Sequence, residues 1–292
     1  MKFETRDEYE KQINLVIDYI NAHLYENPDI KKLSTITQMS EFHLHRVFKL
    51  IIGENIGEFT LRLRMEDVAQ CLRMTNRTLD DIAFEKGYAN KSVLSRAFKK
   101  FFGITPSQYK MQPQNIKFFA NANKNKTTNL TPEIRNIKRK HLVYNRIIDT
   151  YGSPKSYYRA WKELGEYAFK NNLVDSDTEF IGLSFDDPTI TQTDNCRFYA
   201  CFTTKEAVKP KGKFGYQTIE EGLYAVFLLK GSYRGLLDIY FDIYINWLPN
   251  SKYKLRRMYS FEMYLNSPTK VAESELLTEI FVPIKESPTK TK

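Results

Sequence analysis

Two segments lying fifty residues apart set the first constraint on this chain. SEFHLHRVFKLIIGENIGEF (residues 40–59) and NKSVLSRAFKKFFGITPSQY (residues 90–109) align without a gap. Leu44, Arg46, Phe48, Lys49 and Gly53 fall on Leu94, Arg96, Phe98, Lys99 and Gly103. Ser40 and Asn90 open the two segments as helix N-caps, and each glycine marks a helix stop. Leucine and phenylalanine four residues apart share one helical face, which anchors each helix to a core. The faces between them carry His45, Arg46 and Lys49 in the first copy and Ser95, Arg96 and Lys99 in the second. A shorter helix precedes each copy, so the pattern predicts two helix-turn-helix elements in one chain.

Residues 5–110 read as helical throughout. Tyr9, Ile13, Val16, Ile20 and Leu24 recur at helical spacing, and Thr5 with Glu8 forms a capping box. A short helix is expected over 31–37, and another from Thr78 to Gly87. Thr105 and Pro106 start a last turn. Between the two copies a longer helix runs from about 56 to 74, roughly 28 Å at 1.5 Å per residue. A rod of that length sets two reading helices close to one DNA turn apart, about 34 Å.

The chemistry fits that geometry. A recognition helix enters the major groove with its early residues leading. An arginine there pairs bidentately with guanine, which discriminates by about 1–3 kcal/mol. Lysines farther along reach phosphates, giving salt-dependent affinity without sequence information. From Lys86 to Lys100 there are five basic residues and no acidic one, which favours groove insertion of the second copy over the first, where Glu41 intrudes. The plain alternative is a helical bundle whose Arg and Lys are only solvated.

Charge is concentrated outside these elements. The net charge is +9, yet residues 1–112 carry 17 Lys/Arg against 15 Asp/Glu, and residues 143–292 carry 20 against 19. Residues 113–142 carry seven against one. Such an excess suits an acidic polymer or a solvated linker. Residues 112–133 lack periodicity and are expected to be a linker, and residues 286–292 a disordered tail. Three cysteines without a CxxC pair argue for a reducing cytoplasm and against a disulfide framework or a zinc site. No run approaches the roughly 18 apolar residues of a membrane span, and the opening residues lack the apolar run of a signal peptide. The expectation is a cytoplasmic protein with no membrane partner, no metal and no cofactor.

From Ile134 the texture changes to β-branched and aromatic runs. A strand is expected over 134–149, a helix over 154–171, and strands over 179–185 and 197–204. The order then returns: strand 216–229, helix 233–247, strands 258–265 and 276–283. Gly152-Ser153 and Gly231-Ser232 mark the same strand-to-helix corner. The predicted protein is multidomain. An all-α double helix-turn-helix domain (1–111) precedes an α+β domain (134–285) of two strand-helix-strand-strand repeats, with helices on one face of an antiparallel sheet. In the last repeat, YSFEMYL, alternation puts Phe261, Met263 and Leu265 on the face expected under the helices. Ser260, Glu262 and Tyr264 then share the uncovered face. An acid among aromatic rings suits an organic cation, each ring adding about 0.5–2 kcal/mol. The alternative is a merely wet face.

These residues carry two resemblances. Residues 8–110 resemble the DNA-binding domain of AraC/XylS-type transcription regulators, through SEFHLHRVFK, GENIGEF and DDIAFEKGYANKSVLSRAFKKFFGITPSQYK. The resemblance implies that Phe42, His45 and Arg46 face bases or nearby backbone in the first recognition helix. Lys91, Ser92, Val93, Ser95 and Arg96 do so in the second, with Lys49 and Lys99 on the same faces. Residues 134–284 look like a GyrI-like effector-binding domain, through YGSPKSYYRAWKEL, FIGLSFDDPTIT, CRFYACF, GLYAVFLLKGSY, WLPNSKYK and FEMYLNSP. That resemblance puts Glu262 and Tyr264 in a ligand pocket. Trp161 and Tyr199 lie in matching segments, and Tyr158 beside Trp161 completes the expected set. Together they imply a sequence-specific regulator of transcription that binds double-stranded DNA. It would be an activator acting through RNA polymerase, as in multidrug sensing, and would respond to a small cationic or amphipathic organic effector. Two alternatives stand beside it: a small-molecule hydrolase with Glu262 as general base, or a constitutive DNA binder with a vestigial sensor. No Ser/His/Asp or Cys/His arrangement is visible, so no enzyme and no catalytic residue are expected.

Overall fold

A computed structural model describes residues 3–75, 77–112, 130–256 and 258–286. They divide into two compact units. The expected linker, apart from its ends, and the expected tail, apart from Glu286, lie outside the described residues.

The first unit is helical, with α1 Phe3–Ala22, α2 Ile30–Thr37, α3 Glu41–Ile52, α4 Ile56–Met74, α5 Leu79–Glu85, α6 Lys91–Phe102 and α7 Pro106–Lys110. The caps explain the boundaries. The Ser40 hydroxyl accepts from His43 N at 3.3 Å, and Asn90 Oδ1 accepts from Ser92 N and Val93 N, both at 3.0 Å. Gly53 and Gly103 take φ of 90° and 76°, and their N–H groups donate back to Lys49 O and Lys99 O, closing α3 and α6. Asn55 and Glu58 cap each other at the start of α4. The expected capping box at Thr5 is corrected, because α1 begins at Phe3 and Thr5 lies within it. Leu44, Phe48, Leu94 and Phe98 are fully buried, as their spacing requires, and α4 packs against α3, α5, α6 and α7.

The second unit is built on antiparallel strands, ordered β1-β6-β9-β8-β3-β4-β2-β5 with β7 beside β9. Their ranges are β1 Glu133–Ile137, β2 Lys140–Ile148, β3 Phe180–Ser184, β4 Arg197–Thr204 and β5 Gly215–Ile219. Then come β6 Gly222–Lys230, β7 Tyr253–Leu255, β8 Phe261–Tyr264 and β9 Leu277–Glu286. Two expected strands prove to be pairs. The stretch 134–149 divides at Lys138-Arg139 into β1 and β2, and 216–229 divides before Gly222 (φ 131°) into β5 and β6. The halves pair with different neighbours, which a single straight strand could not do.

That division reveals the symmetry of the unit. Equating β1, β2, β3 and β4 with β5, β6, β8 and β9 reverses the strand order onto itself, so a pseudo-two-fold axis runs between β3 and β8. Each repeat carries a helix: α8 Pro154–Lys170, and α9 Leu236–Phe241. The latter continues through a π-helical turn, Asp242–Trp247, to Leu248–Asn250.

Both faces of the sheet are buried. The curled sheet closes one face over its own side chains: Tyr144, Tyr199, Tyr224, Phe261 and Phe281. On the other, Phe227, Ile280 and Val282 meet Ile239 and Ile243 of the second helix. The expected face assignment is thereby reversed. Phe261 and Met263 point away from the helices, whereas Glu262 points toward them.

Candidate functional site

In α3, the helix expected to read DNA in the first copy, Phe42, His45, Arg46 and Lys49 are all exposed. Phe42 is 73% exposed, with the Arg46 guanidinium 5.7 Å from its ring centroid. In α6, Lys91, Ser92, Arg96 and Lys99 are exposed, while Val93 and Ser95 are half-buried. Lys91 pairs with Asp80 at 2.9 Å in the open, a contact of little energetic weight. One basic residue of the Lys86–Lys100 run is removed from this surface. Lys86 is 6% exposed and bound to Asp67, so the run offers four exposed cations and not five.

The second site forms where β3 and β8 meet under the helices. Glu262, 1% exposed, receives the Tyr240 hydroxyl on Oε1 at 2.7 Å. Ser184 Oγ donates to the same oxygen at 3.4 Å, and the Tyr264 hydroxyl to Oε2 at 3.4 Å. Burial pushes the carboxyl pKa up to about 7, against the pull of the three hydroxyls. Burial and the neighbouring acid raise the Tyr240 and Tyr264 hydroxyls well above the ordinary phenol range, so both stay donors. Among the described residues no Lys, Arg or His pairs with Glu262. Aromatic rings cluster around the acid and Tyr264. Trp161 on α8 stands edge-on to Tyr264 (centroids 5.7 Å apart), Phe180 (6.3 Å) and Phe198 (6.5 Å). Tyr157 stacks on Phe198 at 4.5 Å, and Tyr233 meets Tyr264 edge-on at 5.4 Å. A buried acid among aromatic rings has the chemistry to accept a cation with an apolar surface.

Residues 130–285 match the GyrI-like small molecule binding domain, over half of the chain. The chain belongs to the GyrI-like family. Residues 33–112 match a helix-turn-helix domain, of the AraC type. Similar proteins include the uncharacterized HTH-type transcriptional regulator YbfP of Bacillus subtilis, 28% identical over 102 residues, 35% of either chain. The multiple antibiotic resistance protein MarA of Escherichia coli is 29% identical over 99 residues, 34% of this chain and 78% of MarA. The chain thus spans about a third of YbfP. Among solved structures, the EcmrR C-terminal domain is 20% identical, with a TM-score of 0.47, over 54% of this chain and 99% of its own. EcmrR in its DNA complex is 16% identical, with a TM-score of 0.48, over 89% of this chain and 100% of its own.

Of the residues expected in the GyrI-like pocket, the fold brings Glu262, Tyr264 and Trp161 together. Tyr199 is corrected: it lies on the opposite face, stacked on Tyr144 at 4.2 Å and fully buried. Tyr158 is corrected too, being 70% exposed on the outer side of α8. Its neighbour Tyr157, four residues before Trp161, holds the inward position, and the i, i+4 rule applied to Trp161 would have found it. Tyr233 and Tyr240 were also missed; a π-helical turn next to Tyr240 obscures the 3.6-residue period that would have shown it facing inward.

Gly182 leaves room for the acid and the Tyr264 phenol. It lies opposite Glu262 across the β3–β8 pair. A Cβ there would come 2.3 Å from the Tyr264 hydroxyl, 2.7 Å from Glu262 Oε2 and 2.8 Å from Phe198 Cε2. Gly182→Ala is expected to push the acid and the phenol off their present positions and lower cation affinity about tenfold, through overpacking of about 1–3 kcal/mol. Adding Tyr264→Phe, which deletes the oxygen at the closest approach, should recover part of the loss in an isothermal titration. Equal affinity of Gly182→Ala and wild type would show that the glycine sets nothing.

Proposed function

We propose that the chain is a ligand-responsive transcription regulator. On this reading α3 and α6 enter successive major-groove segments of double-stranded DNA, and the GyrI-like pocket takes a small aromatic or amphipathic cation. The observation that carries the proposal is Glu262: an acid at 1% exposure, hydrogen-bonded among the described residues by hydroxyls and surrounded by rings. Among the described residues no cation stands beside this acid, and burial raises its pKa to about 7, so it holds its proton when empty and a bound cation would favour the ionised form. In the DNA-binding half, Arg46 and Arg96 supply guanine contacts, and Lys49 and Lys99 supply phosphate contacts. Activation through RNA polymerase, a cytoplasmic setting and a non-enzymatic role belong to the same proposal.

The test is a DNA selection with the full-length protein, repeated with saturating benzyltrimethylammonium, while Trp161 fluorescence reports pocket occupancy. Two protected segments about one turn apart, affinity that falls with salt, and a cation-dependent shift are expected. A single short protected patch would overturn the DNA reading. Unchanged fluorescence with every cation tried would favour a vestigial sensor. The hydrolase alternative has a separate signature, turnover of a small electrophile that Glu262→Gln abolishes.

A further inference from the structure

An ammonium group lies inside the helical unit at a place that touches neither reading surface. Lys86 caps the C-terminus of α5 and is 6% exposed. Its Nζ reaches Asp67 Oδ2 on α4 at 2.6 Å, Glu85 Oε1 at 3.3 Å and the Tyr25 hydroxyl at 2.9 Å. The Tyr25 hydroxyl also donates to Asp67, and the Tyr25 ring lies under the ammonium, 4.9 Å from its centroid. Tyr25 belongs to the turn between α1 and α2, hence to the scaffold of the first helix-turn-helix. Two other contacts hold that same turn. Arg64 on α4 donates to Leu24 O and Glu26 O. Gly87 (φ 74°) lies so close that a Cβ there would be 2.9 Å from Tyr25 O. One polar knot, half-buried around the buried Lys86 ammonium, therefore joins the first element, the connecting rod and the second element.

Moving the helices past one another would pull the Lys86 ammonium, itself buried, away from its partners, and an unpaired buried charge is costly. Burial disfavours the Lys86 ammonium, but Asp67 outweighs it and the pKa sits above the ordinary lysine value. We infer that the Tyr25–Asp67–Lys86 knot fixes the separation of α3 from α6 and thereby makes the protein select DNA targets by the number of base pairs between their two half-sites. This rests on the two-helix DNA reading proposed above. Inserting one base pair moves the second half-site by about 3.4 Å and about a tenth of a turn, a change that a stiff pair of helices feels and a loosely joined pair absorbs.

The experiment uses the full-length chain and a duplex it selects from a random library, with derivatives carrying one or two base pairs added or removed between the protected segments. The wild type should lose at least about tenfold in affinity on a one-base-pair change, comparable to a mismatched base pair. Lys86→Met combined with Asp67→Leu leaves no unpaired buried charge and should flatten the spacing profile to within about threefold, while affinity for a duplex with one half-site stays as in the wild type. Tyr25→Phe, which deletes only a hydroxyl, should give an intermediate profile and serves if the double variant does not fold. A variant profile as steep as the wild type's would overturn the inference alone. A wild type that protects one segment only would instead remove the two-helix reading beneath it.

Discussion

Replacing Glu262 with glutamine is expected to weaken binding of a permanently charged aromatic cation about 100-fold, the equivalent of roughly 2.7 kcal/mol, within the range for a buried charge-assisted contact. The same substitution should stabilise the protein above pH 7. Glu262 titrates at about 7 in the fold against an ordinary 4.5. Between those values the folded chain holds a proton that the unfolded chain has released, so stability falls as pH rises, by up to about 3 kcal/mol, and is level above the window. Glutamine carries no charge to bury and removes that slope. Urea unfolding of both proteins at pH 5, 6, 7 and 8 measures it. Parallel curves would mean that Glu262 is not a desolvated acid. Binding has the opposite sign. A cation favours the ionised carboxylate, so affinity should rise about tenfold per pH unit below pH 7 and then plateau. Calorimetry at pH 7 in two buffers of different ionisation enthalpy should register proton release on binding.

The second large effect concerns the reading helices. Arg96→Ala is expected to relax base preference at one position of the selected site, with a loss of about 1–3 kcal/mol on the preferred sequence and less on others. Lys99→Ala should weaken all sequences alike and reduce the salt slope by about one. Binding to a panel of single-base variants at two salt concentrations separates the two. Uniform losses for both substitutions would show that Arg96 reads no base. In α3 the Arg46 guanidinium lies over the Phe42 ring, 5.7 Å from its centroid.

The helical half was legible because its boundaries are written locally. Ser40, Asn55, Thr78, Asn90 and Thr105 each satisfy a backbone N–H three residues on, and Gly53 and Gly103 supply the left-handed turn that ends a helix. The sheet was less legible for a reason that Glu262 illustrates. Alternation states which residues share a face, but not which face the helices cover, and here both faces are buried and rich in rings. Tyr199 and Phe198 therefore look alike in sequence, although only Phe198 faces Trp161. Tyr158 misled for the converse reason, as two adjacent tyrosines on a helix differ by about 100° in direction. The turn at Lys138-Arg139 contains neither glycine nor proline, and so gave no local sign that one strand ends and another begins.

The near-palindromic strand order has a consequence for how such a receptor can be assembled. Its axis passes between Gly182 and Glu262, which face each other across neighbouring strands. Two identical chains related by that axis would place the same residue at both positions, with Cβ atoms about 4.5–5.5 Å apart. A pair of carboxylates at that distance repels, and one of them stays protonated; a pair of glycines offers no charge at all. Fusing the halves into one polypeptide lets one side supply the acid while the other makes room for it, an asymmetry that no homodimer can reach.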